Sequence, residues 1–179
     1  FRHISSRNLE HQRGRIKFES GDFANREDLS KVLDNQDIVY HFISATNPKE
    51  SWNDPFIEID QNLINSVRLF ELAVQKKVKK IVFLSSGGTI YGAQNKAVNE
   101  SIMPNPKSPY GITKLAIEHF LNYYRERYNI EADIYRIGNP FGSRQPIQKA
   151  QGVIAIWMRD IIHGSEIQLY GNSKILRDY

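Results

Sequence analysis

The stretch IVFLSSGGTIYG, Ile81 to Gly92, decides the fold. An apolar run that stops on small hydroxyl residues reads as a buried strand delivering polar groups to its carboxyl end. On either side of it, short β-branched runs alternate with helical periodicity. RIKFES (15–20) predicts a strand, and NREDLSKVL (25–33) a short helix with Asn25 as N-cap. DIVYHFIS (37–44) predicts a strand without polar alternation, as expected where both faces are covered. From about Pro55 to Val78, Ile59, Leu63, Val67, Phe70 and Val74 recur at three- and four-residue steps, the pattern of a long amphipathic helix.

Downstream, a loop rich in Pro and Asn spans roughly 93–108, followed by a helix from about Pro109 to Tyr128. ADIYRIGN (132–139) predicts a strand, GVIAIWMRDIIHG (152–164) a helix ending at glycine, and EIQLYG (166–171) a further strand. Alternating β and α units imply an α/β fold: a doubly wound parallel sheet with helices on both faces. Ligands of such sheets lie at the carboxyl ends of the strands, which here read SGDF, HFISAT, LSSGGT and RIGNPFG. The opening FRHISSR reads as the tail of a strand, and no G-x-G-x-x-G loop follows a first strand. The chain is therefore expected to be a fragment, residues 1–179, of one dinucleotide-binding domain that is incomplete at its N-terminus.

The 179 residues are 40% hydrophobic and 25% charged, enough for a folded domain with a core. No apolar run approaches the ~18 residues of a membrane span, so no membrane partner is expected. The absence of cysteine leaves neither disulfides nor thiolate sites and is compatible with a cytoplasmic home. The net charge of +4 is dispersed apart from QKKVKK (75–80), which reads as a solvated helix end. No aromatic residues interleave with that charge, so nucleic acid is not an expected partner. The five histidines show no metal-ligand spacing, and no metal is expected. Trp52 and Trp157 are expected to pack, with Trp157 a candidate lining for a ligand site.

In SPYGITKLAIEHFL (108–121), Tyr110 and Lys114 stand four apart at a helix start, so both side chains share one face. Alone, such a pair carries little weight. After a Ser/Thr-bearing strand end and a loop, it resembles the extended short-chain dehydrogenase/reductase family, in its NAD-dependent epimerase/dehydratase branch acting on nucleotide sugars. The resemblance runs in order along nearly the whole chain. GDFAN (21–25) resembles the segment that contacts adenine, which implies Asp22 and Phe23. HFISAT (41–46) resembles the segment along the cofactor phosphates, which implies Phe42, Ile43 and Ser44; NLINS (62–66) implies Asn62 as a support of the site. Ser85, at the strand end, is likewise implied as a cofactor contact. RIGNPFG (136–142) and LRDY (176–179) imply that Asn139 and Arg177 bind substrate, with a nucleotide-sugar-binding part starting from about 140.

The resemblance implies NAD, a nucleotide-diphosphate sugar that is UDP-linked, and a homodimer built through the helices at 55–78 and 109–128. It implies Tyr110 as general base and acid. A tyrosine with its usual pKa near 10 is a poor base at neutral pH. A lysine ammonium one turn away, with the positive nicotinamide ring, is expected to lower that value. Both residues also count as cofactor contacts, since the same lysine can hold the nicotinamide ribose.

The family places a Ser or Thr four residues before the tyrosine of its (Val/Ile)-Tyr-Gly, and here that position is Gly87. Thr89, or next Ser86, is expected to substitute as the catalytic hydroxyl, with Thr89 touching substrate. The dehydratase pair Asp-Glu is replaced by Gly88 and Thr89, so dehydration is disfavoured and epimerisation or keto-sugar reduction survives. A non-catalytic NAD-binding relative is the alternative that Gly87 suggests. If HISSR (3–7) ends the second strand, Ser6 and Arg7 occupy the position that reads the cofactor ribose, which keeps NADP open beside NAD.

Overall fold

A computed structural model describes residues 6–12, 14–94, 96–143, 145 and 152–169, with backbone alone for Ser6, Arg7 and Glu10. The chain divides into two compact units, Phe1–Arg136 and Ile137–Tyr179. Three strands, β1 (Ile38–His41), β2 (Lys80–Ser86) and β3 (Glu131–Ile137), form one sheet in the order β1-β2-β3. β1 and β2 run parallel, with Ile38 opposite Lys80 and His41 opposite Phe83. Parallel neighbours need a long crossover, and the chain between them supplies a helical one.

That crossover starts at α2 (Pro55–Ile57), where the Asp54 side chain caps the Phe56 N–H at 2.9 Å. It continues as a π-helical stretch, Glu58–Leu63, and then as α3 (Ile64–Gln75). The π stretch rotates the expected apolar stripe: Ile59 is exposed, whereas Glu58 and Asn62 are buried. Leu69, Phe70, Leu72 and Ala73 carry the core of α3, packed with Ile81 and Phe83 of β2. α1 (Arg26–Val32) begins as expected at Asn25, whose Oδ1 accepts from the Glu27 and Asp28 N–H groups at 2.8 and 3.3 Å. Arg68 of α3 then fastens the turn before α1, donating to Ala24 O at 2.9 Å.

After β2 the chain makes a single turn, α4 (Gly87–Ile90), and reaches α5 (Pro109–Tyr128) through the Pro- and Asn-containing loop. The Ser108 hydroxyl accepts from the Gly111 N–H at 3.1 Å, Pro109 fits the first helical position, and Asn129 ends the helix in the left-handed region. Ile117, Leu121 and Tyr124 of α5 join the same core. In the second unit α6 spans Val153–Ile162.

Several expectations are corrected. RIKFES makes only an isolated bridge at Ile16, and residues 166–169 of the predicted last strand are irregular, while 170 and 171 lie outside the described residues. Among the described residues, helices do not cover both faces of β1, where Ile38 and Tyr40 are exposed, as is Phe42 just after it. Ser6–Gln12 is a 3-10 helix, so Ser6 does not end a strand; the side chains of Ser6 and Arg7 lie outside the described residues. Trp52 is exposed instead of packed, and Trp157 is half-buried. Three of the four lysines of QKKVKK meet acids: Lys76 with Asp34 at 2.5 Å, Lys79 with Asp37 at 2.7 Å, and Lys80 with Asp133 at 2.6 Å. No helix among the described residues is long and apolar enough to cross a membrane.

Candidate active site at the end of the central strand

Tyr110 and Lys114 sit in the first turns of α5, beside the end of β2. The approach is close because residue 111 is glycine: a Cβ there would lie 2.8 Å from the Thr89 carbonyl oxygen. Lys114 is 7% exposed, and its Nζ donates to the Leu84 carbonyl at 3.0 Å. The ammonium lies 4.8 Å from the centre of the Phe83 ring and 5.6 Å from that of Tyr110. Burial pulls its pKa down to about 8, while the Glu58 carboxylate acts in the other direction. The Tyr110 phenol is pushed above its usual value by burial and then by Glu58, and a hydrogen bond with Ser44 opposes both. Burial and a nearby carboxylate thus prevail at Tyr110, whereas the expected lowering counted the positive nicotinamide ring beside Lys114.

Glu58 is 1% exposed and accepts from the Thr46 hydroxyl and, at 3.1 Å, from Asn62 Nδ2. Asn62 Oδ1 in turn accepts from the Ala45 N–H at 2.8 Å. The turn after β1 is therefore tied to the crossover helix by side chains. Within that turn Ser44 donates to Thr46 O at 2.9 Å, Ile43 is half-buried and Phe42 is exposed. Asp22 is exposed and its Oδ1 accepts from the Ala24 N–H at 2.9 Å.

His41, 2% exposed, lies among the rings of Phe23, Phe83 and Phe70, with centroids 5.4, 5.3 and 6.1 Å away. The Ser66 hydroxyl donates to Asn62 O at 2.6 Å, so His41 Nε2, 2.8 Å from Ser66 Oγ, must carry the proton and donate to it. Nδ1 is left buried without a partner among the described residues. Burial, and secondarily Lys114, lowers the His41 pKa to about 3. The unfolded chain takes up a proton near pH 6.5 and the folded one only near 3. His41 thus contributes stability above pH ~6.5 that is lost as the pH falls toward 3. Urea unfolding at pH 6 and 5 should show a wild-type slope steeper than that of His41→Asn by about 1.4 kcal/mol per pH unit. Equal slopes would show that His41 does not titrate on unfolding.

On β2, the Ser85 hydroxyl donates to Glu118 Oε1 at 2.5 Å instead of facing open space. Glu118 also receives Arg136 through Nε at 3.0 Å and Nη2 at 2.7 Å, and Arg136 Nη1 donates to the Tyr91 hydroxyl at 2.8 Å. Ser86 precedes α4 without a capping side-chain bond, whereas Thr89 Oγ1 is buried with no partner among the described residues. Asn139 is an exposed residue of the second unit, and Arg177 lies outside the described residues. The structure thus gathers Ser44, Asn62, Ser85, Thr89, Tyr110 and Lys114 around the ends of β1 and β2. It adds His41, Glu58 and Glu118, which sequence reasoning missed. The available signal was spacing: Glu58 precedes Asn62 by four residues, and Glu118 follows Lys114 by four.

These groups fit a dinucleotide. Lys114 commits one of its three N–H donors to Leu84, which leaves donors for ribose hydroxyls, and the Thr89 hydroxyl is uncommitted. Residues 2–179 match the family described as NAD dependent epimerase/dehydratase. The chain is 33% identical over 144 residues to a UDP-glucose 4-epimerase of Mycolicibacterium smegmatis, covering 80% of this chain and 46% of that protein. It is 30% identical over 155 residues to a dTDP-4-dehydro-6-deoxyglucose reductase of Escherichia coli, covering 86% and 49%. It thus spans about half the length of these curated relatives. The Thermotoga maritima UDP-glucose 4-epimerase solved with UDP-glucose superposes with a TM-score of 0.89 at 29% identity, covering 98% of this chain and 58% of that one. The Thermus thermophilus UDP-glucose 4-epimerase solved with NAD gives 0.85 at 30% identity, covering 95% and 58%. These likenesses bear out the Rossmann-like α/β class. With its Tyr110–Lys114 pair beside the end of the central strand, the chain belongs to the NAD dependent epimerase/dehydratase family.

Proposed function

We propose that the full-length protein epimerises the sugar of a UDP-linked nucleotide sugar through a transient keto intermediate, with NAD as its retained cofactor. The observation that carries this reading is the Tyr110–Lys114 pair beside a strand end with no carboxylate at 88 or 89. NAD supplies reversible hydride exchange at the sugar carbon. Tyr110 takes the proton from the sugar hydroxyl and returns it after the sugar has turned over. Lys114 stabilises the phenolate and holds the nicotinamide ribose. Asp22 and Phe23 serve the adenine end, and Phe42, Ile43 and Ser44 line the phosphates. Asn62 holds the turn that carries them, and Ser85 supports the same wall through Glu118. Thr89 is favoured over Ser86 as the hydroxyl that meets the sugar, because its Oγ1 is buried without a partner among the described residues. Asn139 and Arg177 are assigned to the sugar nucleotide by resemblance. Exposed Phe56, Ile59 and Ile64, with Ile112, Phe120 and Tyr123 of α5, support a homodimer formed through these helices.

A panel of UDP- and dTDP-linked sugars incubated with full-length protein tests the reading. The expected result is interconversion of two epimers by NMR, with bound cofactor recovered unconsumed by mass spectrometry. A keto sugar reduced with stoichiometric loss of reduced cofactor would instead support a reductase, which the Escherichia coli relative keeps as the second reading. Cofactor binding without turnover of any sugar would leave a non-catalytic relative.

A further inference from the structure

The buried carboxylate of Glu58 has no role in the scheme above. Its two hydrogen-bond partners, Thr46 and Asn62, are both neutral, and the hydrogen-bond partner of Lys114, the Leu84 carbonyl, is neutral too. The π stretch packs against α5, so a buried anion and a buried cation both bear on the half-buried Tyr110, each without a direct counter-ion among the described residues. An isolated buried charge is costly, and an opposite charge nearby offsets that cost. We propose that Glu58 is a positioning residue for the Tyr110–Lys114 pair: its charge balances Lys114, and through Thr46 and Asn62 it holds the turn that carries Ser44 against the Tyr110 hydroxyl. This inference rests on Tyr110 being the group that moves the proton.

Besides each other, two titratable groups bear on Tyr110 and Lys114: Glu58 from the π stretch and His41 from β1. His41 stays neutral in the folded protein at any pH well above 3, which leaves Glu58 as the one negative charge among the described residues that acts on both. Glu58 raises the phenol of Tyr110 and the ammonium of Lys114 together. It therefore favours the protonated form of both groups in the resting site, the form from which Tyr110 returns its proton.

The test reads Tyr110 ionisation directly, without substrate. Near-ultraviolet tyrosinate absorbance of the full-length protein as purified is titrated, and the curve of its Tyr110→Phe counterpart is subtracted to cancel the other tyrosines. Glu58→Gln keeps the shape and removes the charge, so the Tyr110 midpoint should fall by about one pH unit. An unchanged or raised midpoint in folded Glu58→Gln protein overturns the proposal. If Glu58→Gln does not fold, Thr46→Val decides. Loss of the hydroxyl leaves the Glu58 charge less dispersed, so the midpoint should rise; no change or a fall overturns the proposal. Sugar turnover that survived Tyr110→Phe would defeat the epimerase mechanism without altering this titration, so the two failures are distinguishable.

Discussion

Tyr110→Phe in the full-length protein should lower kcat for the proposed sugar epimerisation by about a thousandfold while cofactor remains bound, because the change removes one oxygen and keeps the ring. The ring packs beside the Lys114 ammonium at 5.6 Å and fills its place in α5 with or without the hydroxyl. Lys114 retains its bond to the Leu84 carbonyl, so the cofactor side of the site stays assembled. What disappears is the group proposed to carry the proton, and neither neighbouring hydroxyl can replace it. Ser44 donates to Thr46 O within its own turn, and Thr89 lacks a charged partner among the described residues that would make it a base. The loss should therefore fall on kcat with little change in KM. Thermal melts of both proteins provide the control. Turnover within tenfold of wild type, with a matching melt, would remove Tyr110 from the chemistry.

The largest loss of stability is expected at Arg136→Leu. Arg136 grips both oxygens of Glu118, with Nη2 at 2.7 Å and Nε at 3.0 and 3.2 Å, and its other arm reaches the Tyr91 hydroxyl at 2.8 Å. The Glu118 side chain is 5% exposed and that of Arg136 19%, so the pair is largely withdrawn from water. Replacing the guanidinium leaves a buried carboxylate with only the Ser85 hydroxyl to answer it among the described residues. Breaking a buried pair in this way costs about 3–5 kcal/mol, which would consume a large part of the stability of an ordinary domain. Adding Glu118→Leu removes the stranded charge and should restore much of the loss. Urea denaturation of the two variants measures both effects. A single-variant cost below about 1 kcal/mol would mean that water reaches Glu118 and the pair behaves as a surface one.

Elements whose signals are local were legible in the sequence. Asn25 before α1, Pro109 at the start of α5, and the apolar run of β2 each carry their own instruction in the backbone chemistry. The Tyr110–Lys114 pair was legible for the same reason, since four residues on a helix is about one turn. Less local features were not. RIKFES has strand composition, yet only Ile16 finds a bridge, because pairing depends on a partner strand that composition cannot name. Glu58 looks like an ordinary surface acid between Ile57 and Ile59. Its burial follows from a backbone hydrogen-bond shift that no apolar period records. The raised Tyr110 phenol was not legible for the same reason: burial is its first cause, and the carboxylate that adds to it comes from another element.

The π-helical stretch has a consequence for what kind of genetic change this site can bear. An i→i+5 turn accommodates one residue more than a regular helix of the same span. Losing any one codon between 58 and 63 would let the segment close as unbroken α-helix without breaking the chain or the reading frame. The helix ahead of the lost residue would then turn by about 100° relative to α3. Glu58 would leave Thr46 and Asn62 and point elsewhere, although no residue of the Tyr110–Lys114 pair had been touched. An in-frame single-codon deletion here should therefore be a more damaging lesion than most missense changes at the same positions.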